Sequence, residues 1–459
     1  MKDPIIEICE NIWALEKSED LLMQKIRGVF FWKLVRFAVF KKAAMGTGAY
    51  DLPHPKKLKS VSPSARYFEY FKTILRAPFR SPFFGDSGYK YIVMPHMRQH
   101  QGTDIYSRRL RDQLPDHDTL VLYNGYDESH DAGVKNISAA MLWERARRRL
   151  RKQKVSFTKD EIEMIHHIEN KCESIFKFKM GLHPMIEKAV RNFDIQTRVY
   201  SRILARHKPD MVYLICAYGH EAMIHAAQEK GLPVIELQHG VITPNHMGYS
   251  YPGRPFVPYS PDVLLFFGAF WMQNTDYAKN TKGAVMGYDF MQQLKHRKRA
   301  DASTQVLALS QGPTGAEMFR FVHQAAGLYP EINFVYRPHP SEFLETYEQA
   351  LSALGDLKNL RLSGADEDTY ALMLESKAIL GVNSTAVFEG VTLGCQGMVL
   401  NLPGVEYMRS AILRGDITLI NTPGDFIEAF HKNDVLQDKD YYFAPPVDSI
   451  PDIAKEALS

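Results

Sequence analysis

The chain has few cysteines and lacks the common fingerprints of disulfide, zinc and nucleotide sites. Its four cysteines are far apart and form no C-x-x-C pair, so neither a disulfide framework nor a zinc site is expected. The loop S-Q-G-P-T-G-A-E could bind an anion, but it matches neither G-x-G-x-x-G nor G-x-x-x-x-G-K-[ST]. These absences argue against dinucleotide-binding and P-loop proteins, and they favour a reducing compartment.

Long apolar runs and a strong net charge are also missing. No run of about 18 apolar residues occurs, so no membrane-spanning helix is predicted. The first residues, M-K-D-P-I-I-E-I-C-E, are acidic and carry no small-residue cleavage site. The net charge of +3 gives no reason to expect nucleic acid as a partner. We expect a cytoplasmic protein, or one held peripherally on the inner face of the plasma membrane.

Length and pattern predict two α/β domains after an N-terminal helical extension. A chain of 459 residues is too long for one typical core. From Tyr89 onward, strand-length apolar runs alternate with helical patterns, which is typical of doubly wound parallel sheets. The basic segment 295–304 has no apolar periodicity and marks the expected boundary. We predict an extension and linker over 1–65, a Rossmann-like domain with a helical insertion over 66–295, and a second Rossmann-like domain over 300–459, facing each other across a cleft.

Two basic stretches have more than one interpretation. Residues 20–45 interleave bulky apolar side chains with lysines and arginines. That pattern suits a helix lying on an anionic membrane surface, and equally a helix packed on the protein with its lysines turned outward. Residues 139–154 contain W-E-R-A-R-R-R-L-R-K-Q-K, which is either a solvated helix face or a contact for an acidic polymer or anionic lipid.

Polar residues at the ends of two apolar runs in the second domain predict a phosphate site. F-V-Y-R-P-H-P and I-L-G-V-N-S-T each end a predicted strand and lead into a helix. In an open α/β sheet, such strand ends line the ligand crevice. Arg337 offers a planar fork for phosphate, and His339 can donate a hydrogen bond in either tautomer. Asn383, Ser384 and Thr385 would present donors at a helix start.

Two further parts of the second domain belong to this predicted site. A strand ending in Ser310-Gln311-Gly312 and running into a helix would add a hydroxyl and backbone N–H groups. Glu389 lies four residues after Thr385 on the same helix face, where its carboxylate suits the hydroxyls of a ribose. The acidic run D-E-D at 366–368 is expected to begin a helix and not to bind a metal. No metal or other cofactor is predicted.

The first domain supplies a candidate base in Q-H-G-V-I-T-P. Gly240 allows a sharp exit from the preceding strand, so His239 would project into the cleft and remove a proton from an acceptor hydroxyl. His220 and Glu221 end the strand before it and would either replace His239 or orient it. The weaker candidates for the acceptor side, for which a purely structural role is also open, are Arg98, Asp104, Tyr249 and Arg254.

Together, the two Rossmann-like halves, H-G after a first-domain strand, R-P-H-P and N-S-T-x-x-x-E-G resemble the GT-B glycosyltransferases. The group they resemble most is that of bacterial capsule and surface polysaccharides: capsular Kdo transferases, sialyl- and polysialyltransferases, and teichoic-acid polyol-phosphate polymerases. This resemblance implies that His339-Pro340 and Ser384-Thr385 grip nucleotide phosphates and that His239-Gly240 supplies the base. The acidic D/E-D/E-G motif of the sialyltransferases has no clean match, since Gly219-His220-Glu221 is only loosely similar.

The resemblance predicts an inverting, metal-independent glycosyltransferase. It would move a sugar from a CMP- or UDP-linked donor to a bacterial capsule or O-antigen-type polysaccharide, with a saccharide or a lipid-linked glycan as acceptor. Three alternatives stay open: transfer of a polyol phosphate from a CDP-polyol, 2-epimerisation of a nucleotide sugar, and a polysaccharide-assembly scaffold without activity.

Overall fold

The computed structural model describes residues 4–48, 80–96, 99–100, 103–124, 133–299, 304–340, 342–432 and 434–459. The strands up to residue 285 are β1 Tyr91–Met94, β2 Gln99–His100, β3 Thr103–Asp104, β4 Thr119–Tyr123, β5 Lys135–Asn136, β6 Met211–Ile215, β7 Val234–Leu237, β8 Val263–Phe266 and β9 Lys282–Val285. All of them except the small β2–β3 hairpin join one sheet in the order β5-β4-β1-β6-β7-β8-β9, and every pair in it is parallel.

The second sheet is also fully parallel. Its strands are β10 Gln305–Leu309, β11 Asn333–Arg337, β12 Leu360–Leu362, β13 Ala378–Gly381, β14 Gln396–Leu400 and β15 Thr418–Ile420. Their order is β12-β11-β10-β13-β14-β15. The winding reverses beside β10, so β10 and β13 flank the switch point at which ligands bind in doubly wound sheets. Strands such as β6 and β13 are buried along their whole length because helices cover both faces, which explains their continuous apolar runs.

The helices surround these sheets. Those up to residue 295 are α1 Pro4–Ser18, α2 Phe31–Gly46, α3 Arg108–Gln113, α4 Ser138–Leu150, α5 Lys159–Phe176, α6 Leu182–His207, α7 Glu221–Gln228, α8 Ala269–Gln273 and α9 Asp289–Lys295. The later ones are α10 Gly315–Leu328, α11 Leu344–Leu354, α12 Thr369–Glu375, α13 Thr385–Thr392, α14 Arg409–Arg414, α15 Pro423–Lys432 and α16 Ile450–Leu458. As the sequence predicts, Asp368 caps α12, accepting a hydrogen bond from the Tyr370 N–H at 2.9 Å.

The predicted fold class is confirmed in its two doubly wound, Rossmann-like parallel sheets, one of seven strands and one of six. The bounds 66–295 and 300–459 stay predictions. The structure also shows that the last helix of the chain returns to the first domain. Helix α16, at the end of the chain, packs on β8, β9 and α3 of the first domain. A single hydrophobic cluster contains residues from both sheets, including Leu265 of β8 and Leu380 of β13.

The N-terminal extension is part of the first domain's core. Helix α2 packs on α1 and α6 and buries Phe31, Trp32 and Phe40. Of the two interpretations of residues 20–45, the structure supports the helix packed on the protein. None of the helices in the described parts of the chain combines the length and the hydropathy that crossing a bilayer requires.

A buried ion pair holds this extension against the loop that follows His239. Arg36 lies 2.6 Å from the Glu16 carboxylate, and both side chains are buried. The Arg36 guanidinium also donates to the backbone oxygens of Met247 and Ser250, and it stacks over the ring of Tyr251 at 4.1 Å. Because α2 reaches the 246–251 loop in this way, the extension positions a segment next to the candidate base.

Candidate functional site

A cavity of about 770 Å³ opens at the carboxyl ends of the second sheet. It lies beside the switch point between β10 and β13, where the topology places a ligand. Five of the predicted donor-site residues line it: Ser310, Arg337, His339, Ser384 and Thr385. The structure therefore brings together side chains that lie up to 75 positions apart in the sequence.

Helix α13 begins at the wall of this cavity. Ser384 is its N-cap, and the Ser384 hydroxyl accepts a hydrogen bond from the Ala386 N–H at 3.2 Å. Thr385 is the first helical residue, so its side chain and the first turn of the helix face the cavity. A helix N-terminus carries a partial positive charge and unpaired N–H groups, which makes it a natural place for a phosphate.

Arg337 lies at the end of β11 and is held in place by the neighbouring strand end. One of its guanidinium nitrogens donates to the Ser363 hydroxyl at 2.6 Å and to the Gly364 oxygen at 2.8 Å. Partial burial lowers the pKa of Arg337 from its usual value, although the nearby carboxylates of Glu367, Asp368 and Asp366 oppose that shift. The side chain stays a cation at neutral pH and presents fixed positive charge to the cavity.

His339 lies on the exposed rim of the same cavity, in a turn fixed by Glu342. The Glu342 carboxylate accepts from the His339 backbone N–H at 2.6 Å and from the Tyr347 hydroxyl at 2.5 Å. The two prolines beside His339 restrict the backbone further. The turn thus has a defined shape before any ligand enters.

Other predicted donor-site residues lie near the cavity but do not line it. The Gln311 side chain accepts from the Asn383 N–H at 2.7 Å, which ties the β10 loop to the end of β13. Gly312 begins a short 3₁₀ turn before α10. Asn383 lines a second, smaller cavity of about 320 Å³ together with Phe37 and Phe40 of α2.

Glu389 is buried inside the second domain. It is 2% exposed, it lies outside the lining of the large cavity, and its carboxylate accepts from the Tyr370 hydroxyl at 3.3 Å. Glu389 lies one helical turn after Thr385, as the sequence predicts. At that depth in the helix, its side chain is in the protein interior and not in the cavity. Its predicted role as a ribose ligand stays a prediction.

The candidate base His239 follows β7 and lies opposite the start of α13. A Cβ atom placed on Gly240 would lie 3.8 Å from the Thr385 hydroxyl oxygen, so the two motifs meet across the domain interface. His239 is partly exposed, and its ring contacts those of His96, Tyr218 and Tyr249. The sequence prediction that both motifs border one cleft agrees with this geometry.

A buried carboxylate behind His239 was not predicted from the sequence. Glu236, on β7, is 1% exposed, and its Oε1 accepts from the Tyr249 hydroxyl and from the Ala217 N–H, each at 2.7 Å. The Tyr249 oxygen lies 3.2 Å from Nδ1 of His239. Because the single hydroxyl hydrogen of Tyr249 goes to Glu236, the Tyr249 oxygen accepts from His239 Nδ1–H. Nε2 then carries no hydrogen, and its lone pair accepts from the Tyr218 hydroxyl at 3.4 Å. An acceptor hydroxyl would take the place of this Tyr218 contact when His239 acts as a general base.

Burial sets the protonation of Glu236 and Tyr249, the two groups behind His239. It raises the pKa of Glu236 to about 7, against the hydrogen bonds from Tyr249 and Ala217, which lower it. Since Oε1 accepts both hydrogen bonds, the proton of neutral Glu236 resides on Oε2. Burial also raises the pKa of the Tyr249 hydroxyl far above its usual value, so this residue stays a neutral donor.

His220 and Glu221 follow β6 and lie beside another residue that sequence reasoning missed. Burial lowers the pKa of His220 to about 4, with a further contribution from His96, so His220 is neutral at pH 7. Burial raises the pKa of Glu221, whose carboxylate accepts from the Gly219 N–H at 3.0 Å. His96 follows β1, which flanks the switch point of the first sheet. Because ligands bind at such switch points, this position could have marked His96 as a candidate site residue from the sequence.

The acceptor-side candidates have separate positions. Arg98 lies outside the described residues. Asp104 is buried and accepts from the N–H groups of Tyr106 and Ser107 at 2.9 and 3.1 Å, which makes it a turn residue before α3. Arg254 is exposed and stacks on the ring of Tyr277 at 4.4 Å. Among these candidates, Tyr249 is the one that the structure brings into contact with His239.

Among the described residues, no group of three or more His, Cys, Asp or Glu side chains has the arrangement of a metal site. Such ligands are what divalent and transition metals require. Within the described parts of the chain, the large cavity is lined by the cation Arg337 and by the carboxylates of Glu342 and Glu345.

No protein-family model and no curated protein matches the chain. Among solved structures, it is similar to MurG of Acinetobacter baumannii, with 13% identity and a TM-score of 0.43 over 80% of this chain and 98% of that one. It is also similar to the UDP-GlcNAc 2-epimerase of Methanocaldococcus jannaschii, with 12% identity and a TM-score of 0.45 over 80% and 99% of the two chains. A third is the calicheamicin glycosyltransferase CalG4, with 14% identity and a TM-score of 0.44 over 80% and 92%. Likeness at this level of identity does not by itself assign a function.

Proposed function

We propose that the chain is a metal-independent, inverting glycosyltransferase that uses a CMP- or UDP-linked sugar. The observation that carries this proposal is the meeting of two half-sites across the domain interface. One is a cavity with a helix N-terminus, two hydroxyls, an arginine and a histidine. The other is an oriented histidine whose neighbour Gly240 lies beside Thr385. A phosphate-binding half facing a base half is what transfer from a nucleotide sugar requires.

The donor phosphates would lie at the start of α13. Thr385, Ser384 and the first turn of the helix donate hydrogen bonds to them, and Arg337 supplies fixed positive charge. Negative charge grows on the phosphate as the bond to the sugar breaks. Donors that are already in place stabilise this charge without reorganising, which is the role that a metal has in other enzymes.

His239 would activate the acceptor. Nε2 takes the proton of the acceptor hydroxyl as its oxygen attacks the anomeric carbon, and the bond between that carbon and the phosphate oxygen breaks. The nucleotide leaves with the electron pair, and attack from the face opposite the phosphate inverts the anomeric centre. Tyr249 and Glu236 hold the Nδ1–H tautomer and stabilise the imidazolium that forms.

The acceptor is proposed to be a saccharide or a lipid-linked glycan, and the product a capsule or O-antigen-type polysaccharide. This assignment rests on the resemblance of R-P-H-P, H-G and N-S-T-x-x-x-E-G to the bacterial surface-polysaccharide enzymes. Cytoplasmic localisation at the inner face of the plasma membrane belongs to the same proposal.

A donor panel tests the proposal. CMP- and UDP-sugars are incubated in EDTA with a bacterial membrane glycolipid extract as acceptor, and released nucleotide is measured. We expect release from one donor class, dependent on the acceptor and unaffected by EDTA. Arg337→Gln should reduce it strongly because the cavity loses its fixed cation, whereas exposed Arg320→Gln on α10, outside the cavity, serves as the control.

The other outcomes assign other functions. Acceptor-free conversion of a UDP-sugar to its C2 epimer would mean an epimerase, and transfer of phosphate from CDP-glycerol with release of CMP would mean a polyol phosphotransferase. Loss of activity in EDTA that Mn²⁺ restores would contradict metal independence. No turnover with any donor would favour an assembly scaffold.

A further inference from the structure

Helix α4 packs on α6 with one face and turns the opposite face to solvent. On the packed face, Met141 is buried and Glu144 lies between Arg147 and Arg198 at 2.8 and 3.9 Å. Arg148 is buried as well and pairs with Asp194 at 3.2 Å. These contacts fix which side chains of the helix face outward.

Two large apolar side chains lie on the outward face. Trp143 is 64% exposed and Leu150 is 82% exposed. They are seven residues apart, two helical turns, with the small Ala146 between them on the same stripe. Side chains of this size are costly to leave in water, and together they form a patch of the kind that marks an interaction site.

Cations concentrate around this stripe. Residues 138–154 contain seven lysines and arginines and one carboxylate, a net charge of +6 within a chain whose total is +3. Arg145, Arg149, Arg151, Lys152 and Lys154 are exposed, and no ion pair links any of them to the described residues. The positive charge is therefore available to a partner.

We propose that this face of α4 binds the surface of an anionic lipid bilayer. The surface consists of Trp143, Ala146 and Leu150 with Arg145, Arg149, Arg151, Lys152 and Lys154, and we call it the α4 face. An indole and a leucine two turns apart can enter the boundary between headgroups and acyl chains, while the flanking cations contact lipid phosphates. A nucleic acid would satisfy the charges, but it offers nothing to cover the aliphatic side chain of Leu150.

The candidate for membrane contact is therefore the α4 face and not residues 20–45, for which the sequence suggests such a contact. Helix α2 uses Phe31, Trp32 and Phe40 inside the protein, so these rings are not available to lipid. Removing residues 1–49 would therefore remove part of the core and would not be a clean test of membrane binding. The proposal does not depend on the enzymatic function, because it concerns a separate surface.

Vesicle co-sedimentation of the full chain tests the proposal. Vesicles of phosphatidylcholine alone are compared with vesicles that contain about 30% phosphatidylglycerol, at low and at high salt. The wild type should bind the anionic vesicles and lose most of that binding in high salt. Arg145→Gln with Arg149→Gln should weaken partitioning by about 25-fold, at about fivefold per charge. Trp143→Ala with Leu150→Ser should weaken it by at least about tenfold.

Matched changes elsewhere provide the control. Leu413, in the second domain, is 77% exposed, and Arg320 is an exposed arginine on α10. Leu413→Ser with Arg320→Gln should leave binding unchanged, and circular dichroism should show that all variants are folded. Equal binding to both kinds of vesicle, or α4-face variants that bind like the control, would overturn the proposal. So would a single-stranded RNA that binds the protein with no dependence on Trp143 and Leu150.

Discussion

Replacing His239 by alanine should lower kcat for sugar transfer by about 100-fold or more, because a general base contributes about 10² to 10⁴ to the rate. The loss should be in kcat, with nucleotide binding unchanged, since the proposed phosphate site is lined by residues of the other domain. Initial rates over a range of donor concentrations, with the nucleotide-binding affinity measured separately, distinguish the two effects.

Two variants sharpen this prediction. Tyr249→Phe keeps the aromatic ring in the core but removes the hydroxyl that links Glu236 to His239. We expect kcat to fall less than in His239→Ala, and the pH dependence of kcat to shift. His323→Ala changes a partly exposed histidine on α10, outside both half-sites, and should leave the rate unchanged. If His239→Ala kept full activity, His239 would not be the base, and His220 or Glu221 would be the next residue to examine.

Glu16→Gln should destabilise the first domain by about 3 to 5 kcal/mol. The change leaves the Arg36 guanidinium, which is 2% exposed, without a counter-charge in the core, and breaking one side of a buried ion pair has a cost of that size. Trp32 also loses its charged acceptor, because its indole N–H donates to Glu16 at 2.7 Å. Urea unfolding followed by tryptophan fluorescence measures the loss.

The matched control is Glu187→Gln on α6. Glu187 pairs with Arg191 at 3.4 Å on the surface, and such exposed pairs contribute about 0 to 1 kcal/mol. Since Arg36 also holds the backbone of Met247 and Ser250, Glu16→Gln should reduce activity by loosening the loop that carries Tyr249. Equal destabilisation by Glu16→Gln and Glu187→Gln would show that the buried pair does not anchor the extension.

The sequence predicts the second domain closely. Apolar runs predict six strands, at 305–310, 333–336, 359–362, 378–382, 398–401 and 417–420. All six form, each within two residues of these ends. The reason is physical: parallel strands that helices cover on both faces are continuous apolar runs bounded by polar residues. The same rule places Arg337 and Ser384 at strand ends, and doubly wound topology then brings them to one cavity.

The remaining features depend on tertiary contacts that periodicity does not encode. The pattern of α2 is the same for a membrane helix and a buried one, and the buried Glu16–Arg36 pair identifies it as part of the core. Glu236 is a single carboxylate within an apolar strand, V-I-E-L, and only its contacts with Tyr249 and Ala217 reveal its position. Glu389 has the predicted helical spacing, but the depth of the cavity floor could not be read from spacing alone.

Thermal unfolding with CMP, CDP, UDP and GDP measures whether a nucleotide binds at the start of α13. A nucleotide present at 100 times its dissociation constant should stabilise the protein by about 2.7 kcal/mol. Ser384→Ala with Thr385→Ala should abolish this ligand-induced shift, measured against the variant's own unliganded baseline because Ser384 also caps the helix. Exposed Thr346→Ala on α11, outside the cavity, should keep it. Stabilisation by none of the four nucleotides, or an undiminished shift in the double variant, would show that no nucleotide binds at the start of α13.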